Sequence, residues 1–186
     1  MFFKILLVLT FFLGLTACSS AEITSNNSSA SYSNVELGIA YLQSGKMELA
    51  KAKLILALEE DPKNSMALGA MGYFLERAKD NKNAEKYYLQ AIKVAKSKEL
   101  GASFNNYGTY LYREHRYKEA IQYFFKAINE PNYLRVADAY TNAGIAALGV
   151  ENYKLARVFL TKALDCDPGL PVARKKLAEI NNTLKI

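Results

Sequence analysis

LGAMGYFLERAKDNKNAEKYYLQAI, residues 68–92, holds two apolar runs on either side of a charged centre. In its second half Ala84, Tyr88, Ala91 and Ile92 fall at i, i+4, i+7 and i+8, which puts them on one face of a helix. Three other stretches align with it: NVELGIAYLQSGKMELAKAKLILALEEDP (34–62), FNNYGTYLYREHRYKEAIQYFFKAI (104–128) and YTNAGIAALGVENYKLARVFLTKALDCDP (140–168). Gly38, Gly72, Gly108 and Gly144 are spaced by 34, 36 and 36 residues. Ala50, Ala84, Ala120 and Ala156 keep those intervals, and so do Ala57, Ala91, Ala127 and Ala163. Three independent columns sharing one period mark an internal repeat. Small residues at a crossing let two helix backbones approach closely, while the large residue one turn on (Leu54, Tyr88, Phe124 or Leu160) fills the space between them. A single hairpin cannot bury its apolar face alone, so the units are expected to stack.

The period, the small residues at the crossing and a proline after the second helix resemble the tetratricopeptide repeat. Pro62 and Pro168 take the proline position, Pro131 sits one residue early, and the second repeat has Lys96 there. The resemblance covers residues 34 to about 170. It implies an all-α fold, a tetratricopeptide-repeat superhelix of four helix-turn-helix repeats plus a C-terminal capping helix. The domain runs over 34–186, with about nine helices. LPVARKKLAEINNTLKI (170–186) reads as the cap, from about 171, with Val172, Leu177, Ile180 and Leu184 inward and Arg174, Lys175 and Lys176 outward.

In arrays of this kind the first helix of each repeat lines a concave groove. Counting from the glycine column carries its positions across. One residue after gives Ile39, Tyr73, Thr109 and Ile145; three before gives Val35, Gly69, Asn105 and Thr141; four after gives Leu42, Glu76, Tyr112 and Leu148. The candidate partner-binding residues are Val35, Ile39, Leu42, Tyr73, Asn105, Thr109, Tyr112, Thr141, Ile145 and Leu148. The alternative for each is packing between helices. The lysine and asparagine carboxylate clamp of chaperone-binding relatives is missing, with Val35 and Ile39 where polar groups would be needed. A partner segment with apolar anchors fits better than a charged C-terminus.

Ahead of the repeats, Met1–Lys4 supply one positive charge and 5–15 a run of apolar residues, Thr10 and glycine, about half the roughly 20 residues that span a bilayer. Residues 1–17 read as a signal peptide. Leu15-Thr16-Ala17-Cys18 resembles the bacterial lipobox, which implies cleavage before Cys18 and its acylation, palmitate included. The alternative is plain secretion with Cys18 free or paired with Cys166. Stable anchoring takes more than one acyl chain, so a multiply acylated Cys18 would hold the protein on its membrane. Ser19 after the cysteine implies sorting to the outer membrane, facing the periplasm. Residues 18–33, rich in serine and asparagine, are expected to be a flexible tether.

Chemistry of the catalytic kind is not expected. His115 is the single histidine and falls in a turn, no HExxH, CxxC, GxSxG or phosphate-loop pattern occurs, and Glu59, Glu60 and Asp61 read as a solvated helix end. No metal, cofactor or small-molecule substrate is implied, and the protein reads as a binding module rather than an enzyme. The formal net charge of +6 falls by one with loss of Lys4, and the lysines are spread along the chain, which does not point to nucleic acid.

A lipobox, a short polar tether and a compact repeat array resemble the PilF/PilW family of type IV pilus biogenesis lipoproteins, the pilotins of the outer-membrane secretin. Asn105-Asn106-Tyr107-Gly108, Tyr123-Phe124 with Lys126-Ala127, and Asn142-Ala143-Gly144 carry the resemblance. It implies a lipoprotein that binds a segment of the secretin subunit and promotes secretin localisation and multimer assembly. The alternative is a general periplasmic scaffold, serving outer-membrane barrel assembly or the peptidoglycan machinery, including activation of a hydrolase.

Overall fold

The structure, a computed structural model, describes residues 19–184, with side chains from residue 29 onward. Residues 1–17 and Cys18, the expected leader and lipidation site, lie outside the described residues. Nine helices follow in order among those described: α1 (Ser19–Gln43), α2 (Met47–Glu60), α3 (Ser65–Arg77), α4 (Asn81–Val94), α5 (Ser97–Arg113), α6 (Tyr117–Ile128), α7 (Val136–Gly149), α8 (Tyr153–Cys166) and α9 (Pro171–Leu184). No strand occurs among the described residues. The first eight form four hairpins and α9 closes the last, which is the expected superhelix with its cap.

Each hairpin is held at its glycine. A Cβ at Gly38 would lie 2.7 Å from Leu54, at Gly108 2.8 Å from Phe124, and at Gly144 2.7 Å from Leu160. At Gly72 it would meet the Tyr88 ring at 3.2 Å. Any side chain there would push the helices apart, and both alanine columns are buried for the same reason. Full burial of a side chain such as Leu54 contributes about 2 kcal/mol.

The turns inside the hairpins form a fourth column. Gly45, Lys79, His115 and Glu151 all adopt the left-handed conformation, with φ of 73°, 62°, 59° and 56°. The next residue's N–H then reaches back five positions: Lys46 to Tyr41 O at 2.8 Å, and Asp80, Arg116 and Asn152 to Leu75, Leu111 and Ala147 O at 2.9 Å. This Schellman closure ends each first helix and starts the second at a constant angle. Between repeats the chain turns on other devices. Asn64 caps α3 by accepting from the Met66 and Ala67 N–H groups, and α2, α6 and α8 stop two or three residues before a proline.

One predicted boundary and one predicted orientation change. The stretch 18–33 was expected to be tether, yet α1 runs back to Ser19 and is packed into the domain by Ser31. The Ser31 hydroxyl donates to Ala57 O at 2.7 Å and accepts from Asn64 Nδ2 at 2.8 Å. A small side chain fits against the end of α2 and loses no hydrogen bond on burial. In the cap, Ala173 and Ile180 are buried, and Leu177 and Leu184 are half-buried against the core. Val172, expected inward, is exposed, because Ala173 takes the inward place at the start of α9.

Two clusters make up the core. The first joins Val35, Leu42 and Leu54 to Met71 and Phe74; the second runs from Tyr88 through Tyr107, Tyr110, Phe124 and Leu160 to Ile180. Tyr73 and Leu75 pack against both, so the stack is continuous.

Candidate partner-binding groove

The first helices α1, α3 and α5 enclose a hollow of about 230 Å³ lined by Ile39, Met66, Gly69, Ala70, Tyr73, Tyr88, Asn106, Thr109 and Arg113. Its space comes from Gly69, which has no side chain, and Ala70, which has only a methyl group, so the surface of α3 is low there. Ile39 and Met66 supply aliphatic wall, and Tyr73 an aromatic face. The polar side is organised by Glu76, whose side chain is nearly buried. Glu76 takes both guanidinium nitrogens offered by Arg113 and a hydrogen bond of 3.0 Å from the Tyr88 hydroxyl. Burial works against the Arg113 charge, but the bonds to Glu76 outweigh it and bind its proton more firmly than usual. Burial and the Glu76 charge raise the Tyr88 phenol well above its ordinary value. Arg113 also lies over the Tyr73 ring, 5.4 Å from its centre. The hollow therefore contains an arginine without a free positive charge. The Asn106 amide, exposed beside it, is the side-chain group positioned to bond a guest backbone.

A second hollow of about 250 Å³ continues along α5 and α7 to the start of α9, lined by Asn105, Arg135, Asp138, Thr141, Asn142, Ile145, Leu170, Pro171 and Val172. Asn142 Nδ2 donates to Asn105 Oδ1 at 3.0 Å, and Arg135 pairs with Asp138 at 2.6 Å. Thr109 and Thr141 each donate to the carbonyl four residues earlier, Asn105 O and Ala137 O. Their methyl groups are thereby left to the groove.

Of the residues chosen from the sequence, Ile39, Tyr73 and Thr109 line the first hollow, and Asn105, Thr141 and Ile145 the second. Val35 and Leu42 do not reach it. Both are buried in the first core, because α1 turns these positions toward α3. Tyr112 and Leu148 are half-buried against the second core, Tyr112 with its ring 5.5 Å from Tyr117. Three of the four residues in the column four after the glycine, Leu42, Tyr112 and Leu148, thus serve the core, and Glu76 alone serves the groove. Met66, Asn106, Arg113, Asn142 and Val172 were missed. Asn106 and Asn142, two residues before successive glycines, carried a usable signal: their spacing equals the repeat. The remaining contributors depend on how neighbouring helices cross.

Elsewhere, His115 is exposed in its turn with Nδ1 2.6 Å from the Tyr117 hydroxyl, and Cys166 is exposed at the end of α8. No cluster of three metal-ligating side chains occurs among the described residues. Among them, too, no helix is long and apolar enough to cross a membrane.

Residues 35–99 match the family model described as tetratricopeptide repeat. The fold is a tetratricopeptide-repeat superhelix. The array is 31 % identical over 112 residues to the type IV pilus assembly protein PilF of Pseudomonas aeruginosa, a match covering 57 % of this chain and 44 % of that one. It is also 31 % identical over 97 residues to an uncharacterised protein of Haemophilus influenzae, covering 53 % of that protein. The chain thus spans about half the length of the curated relatives it matches. Among solved structures, Pseudomonas aeruginosa pilF superimposes with a TM-score of 0.79 at 27 % identity, over 86 % of this chain and 71 % of that one. PilW, described as a widely conserved type IV pilus biogenesis factor, superimposes at 0.73 and 29 % identity, over 82 % and 69 %. The tetratricopeptide array is homologous to these two proteins.

Proposed function

We propose that this protein acts in type IV pilus biogenesis as an outer-membrane lipoprotein that binds a segment of the secretin subunit and promotes its localisation and multimer assembly. The observation that carries the binding role is the pair of adjoining hollows along the first helices. Each has apolar wall, amide groups and internally neutralised charge. Such a surface accepts an extended segment with apolar anchors and offers little to a charged terminus. Homology to PilF and PilW supports the pilus assignment, and the Leu15–Cys18 motif supports acylation at Cys18. Binding and anchoring together raise the local concentration of the partner at the bilayer. The role needs no catalytic group or cofactor.

The test is a chromosomal deletion complemented with wild type, Cys18→Ala or Met66→Glu, followed by measurement of secretin multimers in separated inner and outer membranes. Loss of outer-membrane multimers that wild type restores, with weak rescue by Cys18→Ala and by Met66→Glu, is the expected result. Met66 is exposed in the groove wall, so its substitution leaves the fold intact. Unchanged multimers in the deletion would overturn the secretin reading and favour the general periplasmic scaffold.

A further inference from the structure

We infer that Gly69 is the specificity-determining residue of the first hollow and that the side chain it admits is aromatic, an inference that rests on the groove being the binding surface. Glycine inside a helix weakens it relative to alanine, so an interior glycine calls for a reason. Among the described residues, the other helical glycines have one within the chain. A Cβ at Gly101 would lie 2.5 Å from Tyr133 and at Gly149 2.8 Å from Tyr117, and the four glycines of the repeat column are crowded in the same way. Of the turn glycines, Gly45 has its positive φ and Gly169 a contact of 3.0 Å to Asp167. Gly69 has neither reason. It lies inside α3, and a Cβ there would meet only Asn106 Nδ2, at an ordinary contact distance of 3.7 Å. The repeat does not ask for it either, because the equivalent positions hold Val35, Asn105 and Thr141. The missing methyl group therefore serves the close approach of something outside the chain.

The hollow itself selects the guest. At about 230 Å³ it is smaller than the roughly 300 Å³ at which small-molecule pockets begin, so it takes one large side chain rather than a whole ligand. Its floor is bare backbone at Gly69 beside the methyl group of Ala70, which suits a flat ring laid against α3. The groups around that floor favour aromatic carbon. The Met66 thioether pairs with ring edges, and the Tyr73 ring, held by the Arg113 guanidinium 5.4 Å from its centre, pairs with a second ring. Because Glu76 neutralises Arg113, a charged side chain gains no partner there. The Asn106 amide beside the floor takes the guest's backbone, which makes the ring an anchor on a peptide segment. A Cβ at position 69 would stand between such a ring and the α3 backbone.

The test is a titration of the purified full chain in detergent with N-acetyl-phenylalanine amide, read in amide NMR spectra, with N-acetyl-leucine amide as the aliphatic comparison. Saturable shifts of the Gly69, Ala70 and Asn106 signals are expected, with a dissociation constant of roughly millimolar for so small a probe. The leucine amide binds about threefold or more weakly. Gly69→Ala weakens binding of the phenylalanine amide about tenfold, because the added methyl group overfills the slot. The same variant melts about 2–4 °C higher, since alanine fits the space within the chain and favours the helix. A glycine kept for internal packing would lower the melting temperature instead. Gly69→Leu, its fold checked by circular dichroism, abolishes the shifts. No shift at these amides, equal affinity for the two probes, undiminished binding by Gly69→Ala, or a lower melting temperature of that variant overturns the inference. The titration contains no secretin, so its failure leaves the secretin reading standing, and unchanged multimers in the deletion strain leave the aromatic anchor standing.

Discussion

At the scale of single residues, the glycine column and the left-handed column make opposite demands on the same residue type. Gly38, Gly108 and Gly144 are required for lack of space, with a Cβ meeting the opposing side chain at 2.7–2.8 Å. Alanine at any of these three is expected to destabilise the protein by about 1–3 kcal/mol in urea unfolding, since a buried neighbour must shift. Gly72→Ala costs less, because the Tyr88 ring stands at 3.2 Å and alanine is the better helix former by about 1 kcal/mol. In the turns the demand is on φ alone. A Cβ added at Gly45 would meet nothing within 4 Å, yet the φ of 73° makes Gly45→Ala unfavourable by about 1 kcal/mol. Lys79→Gly and Glu151→Gly, by contrast, come out neutral or slightly stabilising, because relief of left-handed strain offsets the greater freedom of the unfolded chain. Thermal melts of these variants check the pattern.

At the scale of elements, the repeats are joined by carboxylates as well as by apolar packing. Glu99 on α5 accepts from Tyr32 of α1 at 2.9 Å and from Ser65 of α3 at 2.8 Å, which ties three first helices together. Burial alone would raise its carboxyl, but these hydrogen bonds hold it below the ordinary value of 4.5. Glu85 on α4 is held low in the same way by Tyr107 and Arg116, against the effect of burial. A carboxyl depressed in the folded state adds stability above its unfolded pKa, and that stability is lost as pH falls through the folded value. The melting temperature is therefore expected to drop below about pH 4.5, and Glu99→Gln to flatten that drop while lowering stability at pH 7. Circular dichroism melts from neutral pH to pH 3 measure both. The Ser31 and Tyr32 contacts also explain why the start of α1 escaped composition. Ser31 and Tyr32 look solvated until partners 26 to 67 residues away are in place.

At the scale of the whole molecule, the stack transmits stability from neighbour to neighbour, and α9 protects one end. Ile180→Ala is expected to cost about 2–4 kcal/mol for the buried volume removed. Because each repeat touches mainly its neighbours, hydrogen exchange should quicken in α7 and α8 well before α1 and α2 respond. Uniform acceleration along the chain would contradict this one-dimensional behaviour.

Much of this architecture was legible in the residues alone. The 34- and 36-residue spacing, the glycine and alanine columns, and the large residue opposite each glycine depend on local helix period and on contacts within one hairpin, both of which repeat with the sequence. The groove was legible only in part. Ile39, Tyr73, Thr109 and Ile145, next to the glycines, lie where counting put them, because a helix face one residue from the crossing cannot rotate far. Val35, Leu42, Tyr112 and Leu148 went to the core, and Met66, Arg113 and Val172 entered the groove unannounced. Which side chain meets which hollow depends on the angle between successive hairpins. That angle is set by side chains of two repeats packing together, so only the tertiary structure decided it.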